Sequence, residues 1–207
     1  PKIAFTEAGM HLGQGNLSPA KQAAAEYLEM LEHSLAAHIA VINLFGGRGK
    51  TAEAEAFARQ ALDRMPGQAN ALTLLAKTIR LNRLPVSRAY RRALAEAKEL
   101  AAEATERQPE YANAWLELGE VQQALGRPAD ALASLRQAIE LDPAMQSAYV
   151  TMGTLLYRQG QPKQAKACLS RAVVLSPDDV TAAAKYAELL CIEGNASQGA
   201  ALLRRAR

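Results

Sequence analysis

ANAWLELGEVQQALGRPADALASLRQAIELDPAM, residues 112–145, is followed directly by QSAYVTMGTLLYRQGQPKQAKACLSRAVVLSPDD, residues 146–179. The two stretches align without a gap at a period of 34 residues. Trp115, Leu118, Gly119, Gly126, Ala131, Leu135, Ala138 and Pro143 match Tyr149, Met152, Gly153, Gly160, Ala165, Leu169, Ala172 and Pro177. Going forward, the same frame meets Tyr186, Ala187, Gly194, Gly199, Leu203 and Ala206. Going backward, it meets His38, Val41, Ile42, Gly49, Ala54, Ala58, Ala61 and Pro66, and then, more weakly, Ala4, Ala8, Gly15, Ala20, Ala24 and Tyr27. Residues 69–111 keep Leu72, Leu75, Ala76, Ala97, Ala101, Ala104 and Pro109 but run to 43 positions, nine more than the period.

Each recurring residue has a packing reason. Gly119, Gly153 and Ala187, with Ala131, Ala165 and Gly199 in the following segment, let two helix backbones approach closely. Gly126, Gly160 and Gly194 suit the turn between paired helices, and Pro143 and Pro177 stop the second helix of a pair. The pattern resembles the tetratricopeptide repeat (TPR), a helix–turn–helix unit. One such unit cannot bury its faces alone, so neighbours stack. The resemblance implies an all-α fold, a right-handed α-solenoid superhelix of about six units in a single array over residues 1–207. The units are 1–34, 35–68, 69–111 with a nine-residue insertion, 112–145, 146–179, and a truncated 180–207.

Composition agrees. Hydrophobic residues make up 49% and aromatics only 5%, so the core is built mainly from Ala and Leu, which favours close-packed helices over a β-sandwich. An apolar share of this size excludes intrinsic disorder. The net charge of +3 is too small to argue for nucleic-acid binding by itself. Cys168 and Cys191 have no CxxC or Cys/His spacing and read as two unpaired thiols. No apolar run reaches the roughly 18 residues of a membrane span, so membrane insertion is not expected. No signal peptide is visible after Pro1, and the compartment is left open.

Nothing specific points to catalysis, a cofactor or a metal. Gly46-Gly47-Arg48-Gly49-Lys50-Thr51 is reminiscent of a phosphate-binding loop, but GxxxxGK[ST] needs Gly where Leu44 stands, and the preceding segment reads as helix. The stretch reads as an inter-helix turn with Thr51 as N-cap. His33 and His38 are five apart, which is not helical ligand spacing, and His38 takes the packing place of Trp115. In the third unit Leu84-Pro85 breaks the first helix, Ser87 is positioned as an N-cap, and the second helix is expected from about Arg88 to Gln108. Its first turns are expected to project from the solenoid.

Charge is informative locally. From Arg64 to Ala95 there are seven basic residues (Arg64, Lys77, Arg80, Arg83, Arg88, Arg91, Arg92) and no acidic one. From Glu96 to Glu120 seven acids face only Lys98 and Arg107. The basic block coincides with the insertion, so Arg83, Arg88, Arg91 and Arg92 are candidates for meeting an acidic partner. A nucleic-acid partner is not favoured, since Tyr90 is the sole aromatic there.

By the resemblance, a partner lies along a concave groove lined by the first helix of each unit. The anchors this implies are Asn43, Asn70, Lys77, Arg80, Asn113, Glu120, Tyr157 and Arg158, within a lining that also takes in Thr73, Leu116, Glu117, Thr151, Thr154, Lys185 and Glu188. Asn can donate to and accept from a peptide backbone, and Arg can hold a carboxylate with two bonds. The clamp of chaperone-tail binders is absent: its sites fall on Leu116, Glu120, Thr151, Thr181 and Lys185, with a single base. The Asn ladder of the sugar-transferase relatives is absent too. The resulting expectation is a noncatalytic protein–protein interaction scaffold that takes a peptide or partner protein in its groove. It would belong to a larger bacterial protein or assembly, as the Ala- and Arg-rich composition suggests. The alternative is the targeting or regulatory TPR arm of an enzyme whose catalytic domain is not in this chain. Neither end shows a polar capping helix, which leads to the expectation of a segment of a longer protein or of end-to-end self-association.

Overall fold

The computed structural model describes residues 1–31, 33–81 and 88–206, with the side chain of Arg88 left out. Among the described residues there are twelve α-helices and no strand. In chain order they are α1 (Lys2–Gly13), α2 (Leu17–Glu29), α3 (Leu35–Gly46), α4 (Thr51–Arg64), α5 (Ala69–Leu81) and α6 (Arg88–Arg107). The second half holds α7 (Ala112–Ala124), α8 (Pro128–Leu141), α9 (Gln146–Arg158), α10 (Pro162–Leu175), α11 (Val180–Ile192) and α12 (Ala196–Arg205). One helix pair lies within each of the six sequence spans. The helices form two compact units, residues 1–109 and 110–207, each a helical solenoid of three pairs.

In the second unit α7 packs on α8, α9 on α10 and α11 on α12. The pairs are joined because α8 packs on α9, α10 on α11, and first helix meets first helix at α7–α9 and α9–α11. The contact that fixes the spacing within a pair is the small-residue approach. A Cβ placed on Gly119 would lie 2.9 Å from Leu135 Cγ and 3.2 Å from the Ala131 carbonyl oxygen. On Gly153 it would lie 2.8 Å from Leu169 Cγ and 3.2 Å from the Ala165 carbonyl oxygen. In the last pair the glycine sits on the opposite helix, where a Cβ on Gly199 would come within 3.1 Å of the Ala187 carbonyl oxygen. Around these approaches Leu132, Leu135, Met145, Leu155, Leu156 and Leu169 form a buried core, with Trp115, Tyr149 and Tyr186 half-buried against it.

Termini follow local chemistry. Gly126 and Gly160 turn the chain at φ 74° and 73°, where a side chain would be strained. α8 and α10 stop at Leu141 and Leu175; Asp142 and Ser176, each before a proline, take ψ values of 91° and 84° rather than helical ones. α6 begins at Arg88 and ends at Arg107, close to the expected span. Leu84, Pro85 and Ser87, and with them the expected break and cap, lie outside the described residues. One correction concerns α4: its N-cap is Lys50, and Thr51 is the first helical residue.

The first unit stacks by the same scheme, with α2 on α3, α4 on α5 and α1 beside α3. His38 on α3 is fully buried, which agrees with a packing role. Its Nδ1 lies 2.9 Å from the Ser34 carbonyl oxygen, so the ring donates from Nδ1, while Nε2 is buried with no partner. Burial holds the imidazole below its ordinary pKa, and the Arg64 charge pushes the same way against the Ser34 bond.

Two expectations follow for stability. Gly119→Ala should lower the unfolding free energy by about 1–3 kcal/mol through overpacking, and Gly126→Ala by about 1–2 kcal/mol through its left-handed backbone alone; urea titration followed by circular dichroism measures both. His38 makes the fold pH-sensitive. The unfolded chain takes up a proton as pH falls through the ordinary value of 6.5, before the folded chain does, so stability declines from there until the folded pKa is passed. His38→Phe should flatten the thermal midpoint between about pH 7.5 and about pH 5.5 relative to wild type; an unchanged slope would assign the effect elsewhere.

Candidate functional site

The groove residues expected from the repeat frame fall on α3, α5, α7 and α9, all first helices of their pairs. In the second unit Asn113 on α7 and Arg158 on α9 are exposed, while Tyr157 is half-buried and packs its ring against the core. The Thr151 hydroxyl donates to Glu120 Oε1 at 3.1 Å, which ties α9 to α7. Farther along, Lys185 Nζ donates to Glu188 Oε2 at 3.2 Å on α11. Asn113 also bonds Tyr111, a phenol whose pKa burial raises and that bond partly restores. The Thr151–Glu120 bond thus joins two successive first helices, while the Lys185–Glu188 pair lies within α11.

Some positions in the expected lining are unavailable. Glu117 is only 3% exposed and faces the interior. Thr73 is 7% exposed, and its hydroxyl donates to its own helix at the Ala69 carbonyl, 2.7 Å away. Sequence spacing cannot show this, because α5 buries residues on several faces, from Ala69 to Ile79.

In the first unit Asn43 on α3 and Lys77 on α5 are exposed, and Asn70 and Arg80 are half-buried. Asn70 Oδ1 is buried with no hydrogen-bond partner, an acceptor that any donor reaching it would satisfy. Arg91 and Arg92 on α6 are exposed. Arg83 and the side chain of Arg88, the other two residues of the basic block by the insertion, lie outside the described residues. The remaining basic residue, Arg64, has a structural job: its Nη1 donates to the Leu28 carbonyl at 2.9 Å, joining α4 to α2.

An ion-pair bridge that the sequence did not reveal sits beside the basic block. Arg59 on α4 donates to Glu55 Oε1 at 2.8 Å and to Glu96 Oε1 on α6 at 2.7 Å, and these bonds raise its pKa further. The Glu55 pair has helical i,i+4 spacing and could have been read; the Glu96 contact spans 37 positions and could not.

Other chemistry is not assembled. The Gly46–Thr51 stretch joins two helices, with Val41–Phe45 helical rather than extended, so the strand–loop–helix context of a phosphate loop is missing. Cys168 is buried, which raises its thiol pKa, Cys191 is exposed, and both are unpaired. Among the described residues no three His, Cys, Asp or Glu side chains converge as a metal site, and no helix is long and apolar enough to cross a membrane.

Two family models described as tetratricopeptide repeat match, at residues 86–146 and 123–189. The chain is a tetratricopeptide repeat protein. No curated protein matches it in sequence. Among solved structures it is similar to TTC0263, a thermophilic TPR protein of Thermus thermophilus. That match has a TM-score of 0.73 at 19% identity and covers 92% of this chain and 98% of that one. It is also similar to pilF of Pseudomonas aeruginosa, with a TM-score of 0.62 at 19% identity, covering 97% and 87%. A third likeness is to YrrB, described as a TPR protein with an unusual peptide-binding site, with a TM-score of 0.51 at 21% identity, covering 90% and 92%. At these identities the likeness is one of fold. A TPR protein is in general terms a scaffold for protein–protein interaction, and that statement holds for this chain.

The Arg59 bridge is testable apart from any partner. Glu55 is 9% exposed, so Arg59→Met removes a charge-assisted bond from a nearly buried carboxylate, while the guanidinium itself stands in partial contact with solvent. The variant should lose about 1 kcal/mol of stability in urea unfolding, and Glu96→Gln less than that, since this outer pair is exposed on both sides.

Proposed function

We propose that this TPR protein binds an extended peptide segment of a partner protein along the wall made by its first helices, and that it does so without catalysing a reaction. The observation that supports the reading is the Thr151–Glu120 bond, which joins α9 to α7, together with the exposure of Asn113 and Arg158 on those two helices, with Tyr157 half-buried beside Arg158. Asn113 supplies an amide that can both donate and accept. Arg158 supplies a fork for a carboxylate, and Tyr157 an aromatic edge at low cost in side-chain freedom. Asn43, Asn70, Lys77 and Arg80 play the corresponding part on α3 and α5, within a plan of six repeat units. The likeness to YrrB, itself described by a peptide-binding site, supports the class of ligand.

Random peptides displayed and selected on the wild-type chain, then measured by fluorescence anisotropy, test this. Asn113→Ala and Arg158→Ala, both at exposed positions, should each weaken the selected peptides severalfold. Adding Tyr157→Ala should bring the loss to at least about tenfold, or roughly 1.4 kcal/mol. Far-UV circular dichroism should be unchanged for the first two. Selected peptides that bind all three variants as well as wild type would refute the wall as the binding site.

A further inference from the structure

We propose that the chain docks on a second copy of itself head to tail, the exposed face of α1 on one copy packing against α11 and α12 of the other. The contact does not use Asn113, Tyr157 or Arg158, so it is tested separately from the peptide reading.

The two faces are identified by what their counterparts do inside the chain. Leu203 on α12 holds the place that Leu135 and Leu169 hold on α8 and α10. Those two are 0% and 2% exposed, in the core that α8 and α10 share with the first helices that follow them, whereas Leu203 is 40% exposed. On α1, Met10 holds the place of Leu155 and Leu189, both buried in that core, and Ile3 the place of Ala148 and Ala182, which are buried too. Ile3 and Met10 are exposed and, seven residues apart, lie on one face of the helix. Direction is set as well. Lys166, in the first two turns of α10, pairs at 2.6 Å with Glu193 just beyond the end of α11, so a second helix runs antiparallel to the first helix that follows it. Laid on α12 in that way, α1 brings Ile3 and Met10 to either side of Leu203. Single apolar side chains on a surface are ordinary, but two faces that match an interface already built in the same molecule need a partner.

The polar part is more particular. The bond between successive first helices runs from Thr151, sixth residue of its unit, to Glu120, ninth residue of the preceding one. Thr6 and Glu188 are the threonine and the glutamate at these same places in α1 and α11. The other sixth places hold Ala40, Leu74, Glu117 and Lys185, so the Thr–Glu combination recurs only between the last unit of one copy and the first of another. Both side chains are exposed. Thr6 returns its hydroxyl to the Lys2 carbonyl at 2.9 Å and Glu188 accepts from Lys185, bonds within one helix that a facing partner can replace or share. Opposite charges flank the apolar contact, Glu7 between Ile3 and Met10 and Arg204 next to Leu203, both exposed. Since the two faces differ, the contact is heterologous, and each copy offers one face to each neighbour.

Sedimentation velocity of the whole chain between about 1 and about 100 μM tests this. The weight-average mass of wild type should rise above that of one chain over this range. Met10→Asp and Leu203→Asp, each placing a charge at an exposed apolar position, should stay single at every concentration, with the thermal midpoint that wild type shows at its most dilute. Mixed together, these two variants should form a one-to-one dimer and nothing larger, because each keeps the face that the other lacks. Thr6→Val should weaken association severalfold. Val174→Asp, at an exposed apolar position whose counterpart on α8 is the exposed Glu140, should associate as wild type does. A wild type that stays single throughout overturns the proposal and leaves the two faces to a different protein. It is equally overturned if any of the variants at Thr6, Met10 and Leu203 associates as strongly as wild type, if the mixed pair fails to dimerise, or if Val174→Asp loses association as they do.

Discussion

The close approach of two helix backbones inside each pair is the constraint on which the rest depends. In the second unit three successive crossings each contain one glycine and one alanine: Gly119 with Ala131, Gly153 with Ala165, and Ala187 with Gly199. The order reverses in the last pair, yet the carbonyl of the facing alanine stays 3.1–3.2 Å from where a glycine Cβ would be. What is held constant is the summed bulk at the crossing rather than the residue at either position. A helix pair drawn this close brings the leucines around it into one core, and that core orients the outward face of each first helix.

From that spacing comes a division of labour among polar groups. Some are used up inside the fold: Ser134 donates to Gln122 at 2.8 Å between α7 and α8, Thr73 and Thr78 return their hydroxyls to their own helices, and Arg64 caps the end of α2. Others, such as Asn113 on α7 and Arg158 on α9, stand exposed. Arg59 belongs to the first class although part of it is exposed, since it binds α4 to α6 through Glu96 while also holding Glu55 on its own helix.

The helix pairs were legible in the sequence to a high degree. Glycines 126 and 160 in left-handed turns, prolines 143 and 177 just past helix ends, and small residues at each crossing are local or short-range requirements, and a recurring residue type records each of them. The candidate wall was legible only in part. Spacing placed Asn113, Tyr157 and Arg158 on first helices, but the same spacing offered Glu117 and Thr73 as lining, and both are buried. Thr51 was read as a cap because its hydroxyl suits one, whereas the helix begins at it and Lys50 takes the cap position.

By itself, then, the sequence determined the helical repeat, its turns and which helix of each pair comes first, since these depend on backbone conformation and on contacts within about one period. Only the tertiary structure decided which polar side chains on those helices are spent and which are left for a partner. The Thr151–Glu120 and Arg59–Glu96 bonds join residues 31 and 37 positions apart, and the burial of Glu117 and His38 depends on neighbouring helices. Such outcomes follow from the distance between packed helices and the exclusion of water around them, quantities that no single segment encodes.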